Sequence, residues 1–310
     1  MSYDDDIGIR VYLVQYTQDS PKIIASASKM SVSKKEVKGL LQISDEEVNV
    51  WIKETFKRKH FSPWEHSLYT FMIEGCSRVC SHQIVRHRIA SYTQQSMRYS
   101  ETYLRKMALA AAKMVGASCE RKEKKDSKST YFCLSTSLFR ALELMEARDL
   151  RKITSIAYVI PPSVKEDRLE AYVKGVLYST AYYYKLLSLG VSKEDSRFII
   201  PMSVRTRITI TMNARELIES FFPLRLCTRA QWEIRMVAWM MLREVNKVHP
   251  QLFKYAGPSC VFLENMSRDE PVTLKNLIEG IYQFTINRCP EMVKNKGLHT
   301  CLMNASNTLK

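Results

Sequence analysis

HQIVRHRIASYTQQSMRYS, His82 to Ser100, is the stretch from which the rest of the chain is read. It places Arg86, His87, Arg88 and Arg98 within thirteen residues, with Ser91, Ser96 and the pair Gln94-Gln95 between them. Cys80, Ile84 and His87 follow one another at helical spacing, which predicts a helix from about Ser77 to about Arg88. Beyond it the apolar period stops, and Ser91 to Ser100 reads as irregular, polar and rich in hydroxyls. A helix that ends in guanidiniums and runs into a donor-rich loop makes a site for anions. Arginine offers a planar fork of donors that matches phosphate bidentately, and serine hydroxyls and loop amides fill the remaining acceptor positions. A solvated basic helix end would also explain the arginines. Such a face rarely continues into ten residues with almost no aliphatic side chain and no compensating acid, so the anion site is the better reading.

The totals agree with a basic, globular protein. The 310 residues suffice for one large domain or two modest ones, and 45% hydrophobic with 25% charged residues is ordinary for a packed fold. Lys and Arg outnumber Asp and Glu by 47 to 32, a net +15 that attracts nucleotides, polyanionic cofactors or nucleic acid without choosing among them. MSYDDDIGIRVYLVQY has no basic region followed by an apolar core, so no signal peptide is expected. No uncharged apolar run approaches the ~20 residues of a membrane span. The eight cysteines are scattered, which argues against a disulfide scaffold and for a reducing cytoplasmic setting. Cys76 and Cys80, with His82 nearby, lack a second ligand pair and read as core residues of the predicted helix.

Outward from the central stretch, Ile9 to Gln15 alternates as a strand. Ser44-Asp45-Glu46-Glu47 is a capping box, opening a helix with Val48, Trp51, Ile52 and Phe56 on one face. Ser67 to Glu74 alternates as a strand that feeds the central helix. Met107 to Met114 and Leu138-Leu142-Met145 read as helical, separated by the charged loop CERKEKKDSKS. Tyr158 to Ile160 is a short strand, and Leu169 to Leu187 marks a long amphipathic helix ended by Gly190. Arg205 to Met212 is the clearest strand, with Thr206, Ile208, Ile210 and Met212 on one face, followed by a short helix from Asn213. Thr228-Arg229-Ala230-Gln231 reads as a second capping box, opening a helix that buries Trp232, Met236, Trp239 and Met240; Thr273 to Phe284 reads as one more helix. Strands and helices mixed without a βαβ rhythm predict an α+β fold, a largely antiparallel sheet flanked by helices.

Three further constellations carry chemistry. No GxGxxG occurs, so a dinucleotide's phosphates would need arginine side chains in place of a glycine-rich turn. His60-x-Ser62-Pro63-x-Glu65-His66 packs two imidazoles, a hydroxyl and a carboxylate into one turn, at a spacing that fits no common metal motif. An ordinary capped loop would explain it equally well. Arg225 precedes a capped helix whose first amides and dipole also favour negative charge, although an arginine at a helix entry is common. Arg197, before Phe198-Ile199-Ile200-Pro201, would otherwise be the basic end of a short helix.

Arg86-His87-Arg88, seven residues and then Ser96, continued by Arg98-Tyr99, resembles the signature of the flavin-dependent thymidylate synthases. The His60 to His66 turn, Asn213-Ala214-Arg215, Arg197 and Leu224-Arg225 ahead of Ala230 to Ile234 are similar to that family and come in its order. The resemblance covers about residues 1–100 and 154–257. The chain departs from the pattern in about fifty additional residues near 101–153, in a long tail after Gly257, and in an Asn213 to Arg225 interval one residue longer than usual. The implied organisation is a catalytic domain, 1–257, interrupted by a helical insertion near 101–153, and a C-terminal extension, 258–310. With no motif residue in it, the insertion is expected to be removable with activity still detectable.

The resemblance implies reductive methylation of dUMP to dTMP, with methylenetetrahydrofolate as carbon donor, FAD mediating hydride transfer and NADPH as reductant. It implies a homotetramer with composite sites, no membrane and no nucleic-acid partner. By position, His60, Ser62, Arg86, His87, Arg88, Ile89, Asn213, Arg215 and Arg229 would bind the flavin. Gln83, Gln94, Gln95, Ser96, Met97, Arg98 and Arg197 would hold dUMP, and Arg225 would bind the uracil face as the catalytic residue. No cysteine stands in a Pro-Cys-His setting and Ser96 has no adjacent base, so no enzyme nucleophile is expected. A basic nucleic-acid-binding protein without catalysis would also explain the charge, but not the interleaved Ser, Gln and Arg after His87.

Overall fold

In a computed structural model of the chain, residues 7–34, 36–119 and 127–309 are described. Most of the predicted charged loop CERKEKKDSKS, at 120–126, lies outside them. Among the described residues the strands are β1 (Arg10–Tyr16), β2 (Leu68–Ser77), β3 (Ala90–Gln94) and β4 (Arg205–Asn213). They form one four-stranded antiparallel sheet in the order β1-β2-β4-β3, and helices make up most of the remainder, as the α+β reading requires. Thr206, Ile208, Ile210 and Met212 of β4 are all buried, the face that the alternation predicted.

Several boundaries differ from the sequence reading. The central helix spans only Arg78–Ile84, so Arg86, His87 and Arg88 lie in the turn beyond it. Ser91 to Gln94, read as irregular, belongs to β3. This is the last strand of the sheet, its alternation is between polar residues, and a hydrophobic period cannot reveal it. Tyr158 forms only an isolated bridge to Val204. Ser44 caps Asp45–Lys57 as expected, accepting from the Glu47 amide at 3.2 Å. Thr228 does not cap the helix Trp232–Val248. Gln231 does, its side chain accepting from the amides of Glu233 and Ile234 at 3.0 and 3.2 Å. Trp232 is only half-buried, whereas Met236, Trp239 and Met240 are buried. The helix read over Thr273 to Phe284 is confined to Leu274–Ile278, and Gly280, at φ +71°, turns the chain away from it.

The chain divides into two compact units. The first comprises residues 1–73, 82–93 and 208–310, the second 74–81 and 94–207. In the first, Phe56, Phe61 and Trp64 pack edge to face, with the Phe56–Phe61 and Phe61–Trp64 ring centroids 5.6 and 5.4 Å apart. In the second, the helices Thr102–Met114, Ser127–Leu144, Ala147–Ala157 and Asp167–Ser188 enclose a single core.

That core changes the expectation for 101–153. Leu134, Leu138 and Leu150 of the additional segment pack with Val173, Leu177 and Tyr184 of the helix Asp167–Ser188. Ser135 also donates to the Ala181 carbonyl at 2.9 Å. Each buried Leu contributes about 1.5–3 kcal/mol, so losing these three alone removes an amount comparable with the ~5–15 kcal/mol of net stability of a typical domain. Deletion of 101–153 should therefore yield insoluble or unfolded protein. A soluble variant with native circular dichroism would count against this packing.

The cysteine reading also needs correction. Cys119 and Cys133 form a disulfide across a 14-residue separation. A loop of that size is stabilised by about 3 kcal/mol when cross-linked. Spacing alone could not show it, because the pairing depends on Cys119 meeting the side of the helix Ser127–Leu144. Among the described residues no helix is long and apolar enough to cross a membrane.

Candidate active site

His87 is the best-anchored residue of the central motif. Its ring is buried and lies edge-on to Phe221, with centroids 4.9 Å apart. Arg225, the last residue of the short helix Phe222–Arg225, donates from Nε to His87 Nε2 at 2.9 Å and from Nη2 to the Gln83 carbonyl at 3.1 Å. A guanidinium can only donate, so His87 Nε2 accepts and the imidazole proton sits on Nδ1. Nδ1 faces Glu216 Oε1 at 3.1 Å, with Ser220 Oγ at 3.3 Å. Glu216, His87 and Arg225 thus form a chain in which a buried carboxylate fixes the imidazole tautomer and the imidazole holds the guanidinium. A carboxylate hydrogen-bonded to one ring nitrogen orients a metal-ligating histidine by the same physics. The sequence reading, which gave His87 directly to the flavin, is extended here: its ring nitrogens are engaged by protein.

The turn bearing this histidine is itself tied down. Tyr92 donates to the carbonyls of Ile84 and His87, at 3.0 and 2.5 Å. Burial pushes the Tyr92 phenol up to about 12, the Glu216 charge adding to the effect and Arg225 opposing it. Arg86, Arg88 and Ile89 stay exposed, and among the described residues no carboxylate pairs with either guanidinium. Two free guanidiniums on a fixed turn suit phosphate or ring oxygens of a flavin nucleotide.

The other expected flavin residues share the first unit. His60 and Ser62 line a groove with His66, Trp51 and Arg58, between the helices Ser20–Met30 and Asp45–Lys57. Asn213 Oδ1 accepts from the Glu216 amide at 2.8 Å, so this side chain starts the turn that carries Glu216. Arg215 is held by Glu65 and Glu219, at 2.6 and 2.5 Å, and any flavin contact would compete with those carboxylates. Arg229 lines a separate pocket beside Cys227 and Cys301.

The expected nucleotide residues, apart from Gln83 and Arg225, belong to the second unit. Gln94 Nε2 donates to Ser81 Oγ at 2.8 Å, and Gln95 Nε2 to Ser100 Oγ at 2.8 Å. Ser96 Oγ accepts from the Arg98 amide at 3.3 Å and shapes the turn. Met97 packs against the helical core. Arg98 reaches Glu194 at 3.5 Å, and Arg197 donates to the Glu194 carbonyl at 3.1 Å.

A family model described as thymidylate synthase complementing protein, Thy1, matches residues 12–251. The flavin-dependent thymidylate synthase of Aeropyrum pernix is 52% identical over 305 residues, covering 97% of this chain and 94% of that protein. The chain belongs to the flavin-dependent thymidylate synthase family. The Sulfurisphaera tokodaii member is 40% identical and covers 97% of the chain and 99% of its own length. With 97% of the chain aligned, both the 101–153 segment and the tail have counterparts in these relatives. The fold is that of thymidylate synthase X from Helicobacter pylori, solved with FAD and dUMP, at a TM-score of 0.54 and 21% identity, covering 79% of this chain and 97% of that one. A UMP/dUMP methylase, PolB from Streptomyces cacaoi, matches at the same TM-score of 0.54 and 20% identity, covering 79% and 93%.

Within this family frame, sequence reasoning missed three residues. Glu216 follows Asn213-Ala214-Arg215 directly but is no part of that motif, so it gives no signal of its own. Tyr92 reads as one more aromatic in a polar stretch. Burial, and after it the like charge of Arg197, lower the affinity of Arg78 for its proton. Only the spacing of Arg78 from the motif could have drawn notice.

Proposed function

We propose that the protein methylates dUMP reductively to dTMP, with FAD as hydride mediator, methylenetetrahydrofolate as carbon donor and NADPH as reductant. The observation that carries this reading is the Glu216–His87–Arg225 chain, which aims one preorganised guanidinium beside a turn with two further unpaired ones. The bound flavin supplies the hydride that activates the pyrimidine ring. Arg225 offsets the negative charge that develops on the uracil as hydride and methylene arrive, a role for which preorganised donors contribute about 3–4 kcal/mol. Arg86 and Arg88, with the His60 and Ser62 groove, hold the flavin. Arg197, Arg98 and Arg78 hold the dUMP phosphate, and Gln83, Gln94, Gln95 and Ser96 orient the nucleotide. Ser96 has no base beside it and Cys76 and Cys80 are buried, so the chain supplies no nucleophile to the ring.

We assign residues 1–257 to the catalytic domain, with 101–153 as its helical addition and 258–310 as an extension. A homotetramer with composite sites lets the nucleotide set of one protomer meet the flavin set of another. The substrates are nucleotides and reduced folates of the cytoplasm, where we place the enzyme.

The test is direct. Purified protein should be yellow, and should form dTMP from dUMP when given FAD, NADPH and methylenetetrahydrofolate. Colourless protein that makes no dTMP and shifts RNA with a steep salt slope would replace this reading with nucleic-acid binding. Arg88→Ala should weaken flavin affinity by roughly tenfold or more, since a charge-assisted bond is worth about 1.5–3 kcal/mol. Unchanged affinity by flavin fluorescence titration would remove Arg88 from the site.

A further inference from the structure

Among the described residues of the second unit, Glu101 is the only buried acidic side chain. It follows directly on Ser100, whose amide donates to the Ser96 carbonyl at 3.0 Å and closes the turn that carries Arg98. Glu101 stands at the start of the helix Thr102–Met114 without capping it. Its Oε1 meets two cations, Arg105 Nη1 at 3.5 Å and Lys193 Nζ at 3.4 Å. Its Oε2 is buried and has no hydrogen-bond partner. The carboxylate also lies near the helix Asp167–Ser188, where its charge adds to burial in raising the Tyr183 and Tyr184 phenols.

A buried ion pair is weak support for a fold, because desolvation offsets the attraction, and an oxygen left without a donor is a further cost. An apolar side chain of similar size would serve packing better. What the pair does achieve is placement. Lys193 begins the short helix Lys193–Ser196, Ser196 is fully buried, and Arg197 comes next. Glu101 and Lys193 therefore join the turn bearing Arg98 to the helix bearing Arg197, across 92 positions of sequence. The other link between these segments, Arg98 to Glu194 at 3.5 Å, has both side chains about half exposed. Such a contact is weak, and a phosphate on Arg98 would compete with it. The buried pair keeps the two segments together when the arginines turn to a ligand.

We propose that Glu101 is a positioning residue for the phosphate of dUMP: through Lys193 it fixes the distance between Arg98 and Arg197. The proposal rests on the assignment of those two arginines to the phosphate. Glu101 touches neither nucleotide nor flavin. It acts by holding two donors apart at a set spacing before the substrate arrives, so that binding does not have to order them. Arg105 holds the same carboxylate oxygen from within the helix Thr102–Met114, which keeps Glu101 turned toward Lys193.

The test uses the full-length, FAD-loaded enzyme. Glu101→Gln and Lys193→Met should each raise the KM for dUMP about tenfold, while kcat and flavin occupancy stay near their unaltered values. Lys193→Arg, which keeps the charge opposite Glu101, should recover most of the loss. Inhibition by deoxyuridine, which carries no phosphate, should be the same in every variant. Lys193 is partly exposed, so its variant decides the matter even if Glu101→Gln fails to fold. A lower melting temperature with an unchanged KM for dUMP would make the pair merely structural and overturn the proposal. Arg197→Ala separates this failure from that of the site itself. If it raises the KM while the Glu101 and Lys193 variants do not, only the positioning role falls. If it too leaves the KM unchanged, the phosphate assignment falls and the proposal with it.

Discussion

Arg225→Ala should reduce turnover by about 10²–10³-fold, the loss seen when one preorganised donor to a developing charge is removed. The fold should survive, because the following helix is capped by Gln231 and pinned by Trp239, whose indole donates to the Leu226 carbonyl at 3.3 Å. Flavin should also stay bound, since Arg86 and Arg88 are untouched. Lysine should rescue poorly. Arg225 donates to His87 Nε2 and to the Gln83 carbonyl from two different nitrogens, and a single ammonium cannot reproduce that plane. Steady-state dTMP formation with saturating dUMP is the measurement. An alanine variant working at near the unaltered rate would remove Arg225 from the chemistry.

Glu216→Leu should lower kcat by roughly 10–10²-fold although Glu216 touches neither substrate nor flavin in the proposed arrangement. Without the carboxylate, His87 Nδ1 loses its main acceptor and the imidazole is free to adopt the other tautomer. Its Nε2–H would then oppose the Arg225 Nε–H, donor against donor, and the guanidinium would leave its position. Left with only Ser220 Oγ at 3.3 Å, the buried Nδ1 side of the imidazole is poorly satisfied, at a cost of up to about 1–3 kcal/mol, so the melting temperature should fall. A merely structural role would end there. A positioning role predicts more: kcat falls while the KM for dUMP and the flavin occupancy stay near their unaltered values, and Glu216→Asp recovers part of the loss. A stable variant with unchanged kcat would sink the positioning role.

The two predictions differ in how far the sequence could have reached them. Arg225 was legible because it stands before a helix entry in an order shared with a known family. Glu216 was not, because its partner is 129 residues away and nothing in the charged and apolar residues beside it marks one carboxylate over the next. The same contrast runs through the fold. Alternation marked β4 and the Ser44 cap marked its helix, because both are written in residues a few positions apart. The strand Ala90–Gln94 was hidden, since its period lies in hydroxyls and amides that a hydrophobic reading cannot weigh.

By itself, then, the sequence determined the α+β class, the basic character, the arginine-rich motif and the family to which they belong. These follow from local periodicity, composition and short spacings. The tertiary structure alone decided that His87 holds Arg225, that the 101–153 segment shares its core with the helix Asp167–Ser188, that Cys119 pairs with Cys133, and that four distant cysteines meet at one pocket. The reason is physical. Local pattern states which side of an element seeks the core, but which elements meet there depends on packing and hydrogen bonding between residues as far apart as the 138 positions that separate His87 from Arg225.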